Sequence, residues 1–397
     1  MRLHSPNGPF IGEVELPISK SIANRYQIIG ALAGEKISFP DSAPEDVKVL
    51  RDALAATTTE VNVGMAGTAM RFLTAYFSMI EERQVLLVGD KRMYQRPIDD
   101  LVEALQLLGA DLSYLEEYGF PPICINGRPL LGGTINMLAS TSSQFVSALM
   151  MIAPKMKNGL TILLEGKVLS RPYIELTADC MRQCGIQVRF EGNSIKIPSG
   201  EFVIPENVIE TDWSSASYFY ALAAAKPNSK LLLKGLNLNS SQGDSILSNW
   251  FKPLGVSSMQ KVNGVEISSS GIVDFPSELD FKNNPDLAQT FAFLAAVLGK
   301  ELKLSGLDNL RLKETDRISA LQNELRKLGV SVNVEYDSMF VSGSIAKSEA
   351  SIKTYNDHRM AMSAALLSTR IAVEIENPDV VCKSFPGFWY ELKKVST

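Results

Sequence analysis

The 397 residues are 45% hydrophobic and 21% charged, with a net charge of −5 at neutral pH, the make-up of an ordinary globular chain with room for two domains. A mildly acidic balance argues against a nucleic-acid partner, which would need a basic stripe, and no apolar run approaches the roughly 18 residues of a membrane span. The opening MRLHSPNGPFIGEVELP has neither the apolar stretch of a secretory signal nor the Arg/Ser bias of a transit peptide, so a cytoplasmic location is expected.

Taken in chain order, the sequence repeats itself. A helix rich in small apolar residues and then a short apolar strand are predicted six times. The helices open at SKSIANRYQII, AGTAMRFLTAY, SSQFVSALMMI, SSASYFYALAA, PDLAQTFAFLA and DHRMAMSAALL. The strands read KISFP, VLLVG, TILLEG, KLLLKG, LKLSG and AVEIEN. Gly89, Gly166, Gly235 and Gly306 close four of them, and Pro40 and Asn377 stand at that place in the first and last copies.

A second helix recurs in four copies and stops at a glycine or similar, as in LQNELRKLGVSVNVEYDSMFVSG. Glycine there supplies a left-handed cap, and the alternating residues beyond it read as a hairpin. The repeating unit is therefore mixed α/β, about 70 residues long, with two helices and about four strands. The first unit is short: VKVLRDALAATTTEVNVG passes from helix straight to strand, so one hairpin is missing. The sixth lacks its closing strand, and GEVELP near the N-terminus is a spare one. Three units per lobe predicts one lobe over residues 19–210 and a second over 1–18 plus 211–397, with a double-stranded hinge near Ile18 and Thr211.

Cysteine usage adds little. Four cysteines are too few and too scattered for a disulfide framework. Cys180 and Cys184 stand one helical turn apart. With only two histidines in the chain, they read as buried thiols rather than a metal pair.

The helix starts carry the chemistry. They present Lys20-Ser21, Gly67-Thr68, Ser142-Ser143-Gln144, Asp212 with Ser214-Ser215, Asp286, and His358-Arg359. Any single Ser, Thr or Asp there is accounted for as a cap worth about 1 kcal/mol. Six such starts on equivalent ends of six repeats must share one face, however, and each offers free N–H groups and a positive dipole end to an anion. The flanking loops add Lys91, Arg92 and Arg96, then Ser170, Arg171 and Tyr173, then Arg311, Lys313 and Arg317, and finally Lys383. So much basic charge at these places in an acidic chain implies a small polyanionic substrate with phosphate and carboxylate groups.

These residues also carry a resemblance. LPISKSIANR, AGTAMR, RMYQRPIDDLV, SRPYIE, LKETDR and YNDHRMAM resemble, in unbroken order from about residue 12 to 390, the 5-enolpyruvylshikimate-3-phosphate synthase family. The resemblance implies an α/β (α+β) fold of two lobes, each an inside-out α/β barrel of three βαβαββ-type repeats. It implies transfer of the enolpyruvyl group of phosphoenolpyruvate to the 5-hydroxyl of shikimate 3-phosphate by addition and elimination. No metal or organic cofactor is implied, nor any nucleic-acid or membrane partner, and a monomer is expected.

Carried over residue by residue, the resemblance assigns proton transfer to Lys20, Asp286, Glu314 and His358. Shikimate 3-phosphate would contact Lys20, Ser21, Arg25, Ser142, Ser143, Gln144, Ser170, Tyr173, Asp286, Asn309 and Lys313. Phosphoenolpyruvate would contact Lys20, Gly67, Arg92, Gln144, Arg317, Arg359 and Lys383. Against these stands a plainer reading in which Asp286 caps its helix and Glu314 only pairs with Arg317. Met65 and Phe72 depart from the family pattern, which usually has Asn and Pro there. Glyphosate, which in this family occupies the phosphoenolpyruvate site, is expected to compete with that substrate.

Two other functions share the pattern in part. One is enolpyruvyl transfer to UDP-N-acetylglucosamine, whose family carries a reactive cysteine in the loop that here reads GDKRMYQRP. The other is a non-catalytic paralogue that has kept the fold.

Overall fold

The computed structural model describes residues 1–138, 142–166, 168–206, 209–271 and 274–396. The chain divides into two compact units, Lys20–Asp41 with Asp46–Ile209, and Met1–Ser19 with Ser42–Glu45 and Glu210–Thr397. In the second of these units the two passes of the chain run side by side. Ser19 N–H donates to the Glu210 carbonyl at 2.7 Å, Asp212 N–H donates to Pro17 at 2.9 Å, and Ile18 bridges Thr211.

One sheet design recurs. In the unit built on residues 20–209, the strands Glu60–Asn62, Gln84–Val88, Ile123–Asn126 and Asp111–Tyr114 lie in that spatial order, as do Gly133–Leu138, Leu160–Glu165, Ser194–Ile197 and Arg189–Glu191. The first two strands of each sheet are parallel and the rest antiparallel. Parallel neighbours need a crossover, and the small-residue helices Gly67–Ser78 and Ser143–Ile152 supply it. The other unit repeats the order with Ile11–Glu15, Lys230–Lys234, Gly264–Ser269 and Val256–Lys261, and with Glu278–Asp280, Leu302–Ser305, Met339–Ser342 and Ser331–Val334. A three-stranded sheet of Arg2–Leu3, Ala372–Ile375 and Glu349–Ile352 completes it.

The small-residue helices are buried on all sides. Ala288–Leu298 is buried from Ala288 through Val297, and Trp213–Ala225 is buried at Trp213 and from Ser215 through Ala224. A helix apolar all round belongs inside a core. Within each unit these helices pack on one another. The sheet strands instead alternate, as in Ser194–Ile197, where Ile195 and Ile197 are buried and Lys196 is exposed, so one face of the sheet meets solvent.

Two expectations from the sequence need correction. KISFP forms no strand, and the first copy consists of the helices Lys20–Ala33 and Glu45–Ala55 with no sheet of its own. A strand without a hairpin beside it has no partner for its backbone groups. Ile37 packs instead against the helix at Gly30, where an added methyl would come within 2.8 Å of its Cγ1. GEVELP is not the spare strand of the last copy: Ile11–Glu15 pairs in parallel with Lys230–Lys234, and Arg2–Leu3 is the segment that joins Ala372–Ile375.

Candidate active site

In the unit of residues 20–209, Lys20 opens its helix and its Nζ meets Asp46 Oδ2 at 2.9 Å. One turn on, Arg25 is buried. Its Nε donates to Thr177 Oγ1 at 2.7 Å, its Nη1 to the Ser21 carbonyl at 2.7 Å, and its Nη2 to the Tyr173 carbonyl at 3.0 Å and Ser147 Oγ at 3.2 Å. Arg25 thereby ties the starts of two helices together as a fixed positive charge, and burial holds its guanidinium below the ordinary value. Phe72 is fully buried with the Arg25 guanidinium 5.6 Å from its ring, so the bulkier side chain at this departure from the family pattern packs under a cation.

Ser142 caps the helix Ser143–Ile152, accepting from Gln144 N–H at 3.3 Å, and Gln144 Nε2 donates to Thr68 Oγ1 at 3.0 Å. Ser143 is buried. Ser170, also buried, precedes the helix Arg171–Gln183 with φ 52, in the left-handed region. Tyr173 follows one turn into that helix.

Gly67 is the first residue of the helix Gly67–Ser78. A Cβ there would stand 2.7 Å from Nη2 and 2.8 Å from Cζ of Arg96. Arg96 is buried, while Arg92 is half-buried and donates to the exposed Gln95 Oε1 at 3.0 Å. Arg96 is thus the cation set against the open helix start. The sequence reading named it only as a loop charge, since nothing in the spacing of Lys91, Arg92 and Arg96 says which turns inward. Arg71, one turn after Gly67, secures the arrangement by donating to the Pro97 carbonyl at 3.1 Å.

In the other unit the charges converge on Arg317, which is 1% exposed. Its Nε meets Asp357 Oδ2 at 2.7 Å, its Nη1 meets Asp286 Oδ1 at 3.0 Å, and its Nη2 meets Glu314 Oε2 at 3.0 Å. Arg359, also buried, holds Asp286 Oδ2 at 2.8 Å. Burial alone would lower the pKa of Arg317, but Asp357, then Glu314 and Asp286, raise it above the ordinary value. Asp286 stands in the short turn Pro285–Leu287, and the helix after it has no side-chain cap. It is held between two guanidinium groups instead. Glu314 lies before the helix Arg317–Lys327, which Asp316 caps by accepting from Ser319 N–H at 3.1 Å.

His358 is 1% exposed at the start of the helix His358–Ala364, its Nδ1 3.9 Å from Asp357 Oδ1. Asn309 and Lys313 are half-buried at and beside the turn Asp308–Leu312. Lys383 ends the turn Pro378–Lys383.

Three acids were given no role by the sequence. Asp357 lies inside the quoted YNDHRMAM, but spacing alone does not point it at a residue 40 positions away. Asp46 lies just before the VKVLRDALAATTTEVNVG segment, where nothing in the sequence points it at Lys20. Asp244 is buried, accepting from Ser214 Oγ at 2.5 Å and Asn284 Nδ2 at 3.0 Å. Burial first, and then the charge of Asp286, push it up to about 6.

The family model for EPSP synthase (3-phosphoshikimate 1-carboxyvinyltransferase) matches residues 41–392. A 3-phosphoshikimate 1-carboxyvinyltransferase of Bacteroides fragilis (strain YCH46) is 41% identical over 387 residues, spanning 96% of this chain and 94% of its own. One from Shewanella denitrificans is 34% identical over 420 residues, spanning 97% and 96%. Among solved structures, an EPSP synthase from Acinetobacter baumannii superimposes with a TM-score of 0.78 at 21% identity, over 100% of this chain and 98% of that one, a likeness of fold. This mixed α/β chain with its several small mixed sheets belongs to the EPSP synthase (3-phosphoshikimate 1-carboxyvinyltransferase) family.

Proposed function

We propose that the chain carries out the reaction of its family, joining shikimate 3-phosphate to phosphoenolpyruvate and releasing phosphate, a step of the shikimate pathway. The observation that carries the residue assignment is the cluster on Arg317: Asp286, Glu314 and Arg359, from three separate stretches of sequence, lie within direct bonding distance of one another or of that guanidinium. Addition needs a base for the 5-hydroxyl proton and an acid for the methylene carbon. Elimination returns that proton from the new methyl group as the bond to phosphate breaks. Asp286 and Glu314 are our proton carriers, with Lys20 and His358 assisting.

The arrangement couples anion binding to proton transfer. An incoming phosphate or carboxylate competes with Asp286 and Glu314 for the N–H groups of Arg317. A carboxylate that loses a cationic partner becomes a stronger base. We assign Arg317, Arg359, Lys383 and Gly67 to phosphoenolpyruvate, with Arg96 joining Arg92 as the candidate arginine beside Gly67. Ser21, Arg25, Ser142, Ser143, Gln144, Ser170, Tyr173, Asn309 and Lys313 are assigned to shikimate 3-phosphate.

The finer architecture belongs to the same proposal: two lobes of three inside-out repeats, divided near residues 18 and 211, the first repeat reduced to its helices. So does a cytoplasmic monomer without metal, organic cofactor or nucleic-acid partner. Among the described residues no helix is long and apolar enough to cross a membrane. Purified protein given both substrates should release inorganic phosphate, and neither substrate alone should support release. Release with UDP-N-acetylglucosamine in place of shikimate 3-phosphate, or none with either, would refute the assignment.

A further inference from the structure

The helix Arg317–Lys327 grips the segment 353–357 at two points. Its first residue, Arg317, holds Asp357. Seven residues on, two turns along the same face, Glu324 is fully buried. Glu324 Oε1 accepts from the Tyr355 hydroxyl at 2.6 Å, and its Oε2 accepts from Lys353 N–H at 3.2 Å. An ordinary helix pair with Lys327, at 2.6 Å, accounts for a charge on this face. It does not account for the two further bonds to the loop.

What those bonds hold is a strained turn. Tyr355 and Asn356 have φ values of 54 and 55, and Asn377 has φ 46. Side-chain-bearing residues rarely enter this left-handed region. Three of the six non-glycine residues with positive φ among the described residues therefore gather here. The two segments are also tied together, because Asn377 Nδ2 donates to Asn356 Oδ1 at 3.0 Å, and Asn377 leads directly into the turn that ends at Lys383. Backbone strain persists only where the surroundings over-determine it. Here the turn delivers Asp357, which both receives Arg317 and caps the next helix by accepting from Arg359 N–H at 2.8 Å.

We propose that Glu324 and Tyr355 are positioning residues, a clamp on the left-handed turn that aims Asp357 at Arg317 and seats Arg359 and Lys383. The role of those three cations toward phosphoenolpyruvate rests on the function proposed above. Burial first, and the bond to Glu324 second, push the Tyr355 phenol up to about 12, so it remains a donor at ordinary pH.

Tyr355→Phe removes only the hydroxyl, and Glu324→Gln keeps the shape while removing the charge. In steady-state assays Tyr355→Phe should raise the KM for phosphoenolpyruvate about tenfold, the scale of a lost hydrogen bond to a charged group, with the KM for shikimate 3-phosphate nearly unchanged. Glu324→Gln should move the same constant in the same direction. Tyr355→Gly, which enters the left-handed region freely, should keep a lower KM for phosphoenolpyruvate than Tyr355→Ala. Hydrogen exchange at the amides of residues 355–359 should be faster in Tyr355→Phe, a readout independent of turnover. Unchanged exchange overturns the clamp even if the wild-type protein releases no phosphate, in which case the proposed reaction has failed on its own. A parallel rise in both KM values, or Ala performing as well as Gly, overturns it as well.

Discussion

Arg317 and Asp357 are both buried, at 1% and 0% exposure of their side chains, and Nε of the one meets Oδ2 of the other at 2.7 Å. The same carboxylate caps the helix that begins at His358. One acid therefore places both an arginine from another helix and the arginine beside it. Removing one member of a buried pair costs about 3–5 kcal/mol when the other charge is left uncompensated. Arg317 would keep Asp286 and Glu314, so loss of this pair and of the helix cap should cost less, about 2–3 kcal/mol. Asp357→Ala is expected to lower the urea midpoint accordingly, and a loss under about 1 kcal/mol would mean the pair behaves as an exposed one.

Glu314→Gln tests proton transfer. The amide keeps the size of the side chain and an oxygen for Arg317, but it cannot accept and return a proton. A general acid or base contributes about 10²–10⁴-fold, so kcat should fall on that scale. The dissociation constant for shikimate 3-phosphate should change far less. Nearly full turnover would reduce Glu314 to an ion-pair partner.

Gly67→Ala tests the open helix start. The new methyl would stand 2.7 Å from Nη2 of Arg96, closer than carbon and nitrogen can approach, so the guanidinium must move. The KM for phosphoenolpyruvate should rise, and Arg96→Gln should raise it further, while Arg92→Gln should matter less. The opposite ranking of the two arginines would show that Arg92 is the anion ligand.

Asp244 predicts a pH dependence of stability. Its folded-state value is raised to about 6 from an ordinary 3.8, so between those values the folded protein binds more protons than the unfolded chain. Stability contributed at this site is therefore present at low pH and falls as pH rises from about 4 to 6. Asp244→Asn should remove that fall. Relative to wild type it should gain about 2–3 kcal/mol at pH 7 and nothing comparable at pH 4, measured by urea unfolding across that range. A gain independent of pH would show that packing, not charge, is responsible.

Much of the fold was legible because its periods are local. All six small-residue helices and the four hairpins lie where the sequence places them, since all-round small apolar composition marks a buried helix and alternation after a glycine stop marks a hairpin. KISFP failed because a strand is stable only with a neighbour: the missing hairpin of the first unit was legible in the sequence, but the local pattern of KISFP itself still reads as a strand. GEVELP was recognised as a strand but given the wrong sheet for the same reason: pairing is a property of two segments.

The family and the residue types of the candidate site were determined by the sequence alone, through motifs such as LKETDR and YNDHRMAM and the cations around the helix starts. Only the tertiary structure decided which charges meet. It set Arg96 against Gly67, turned Asp286 from a helix cap into the link between Arg317 and Arg359, and brought Asp357 onto Arg317 across 40 residues of chain. Coulomb attraction inside a core depends on distance and burial, and neither quantity is written in the order of the residues.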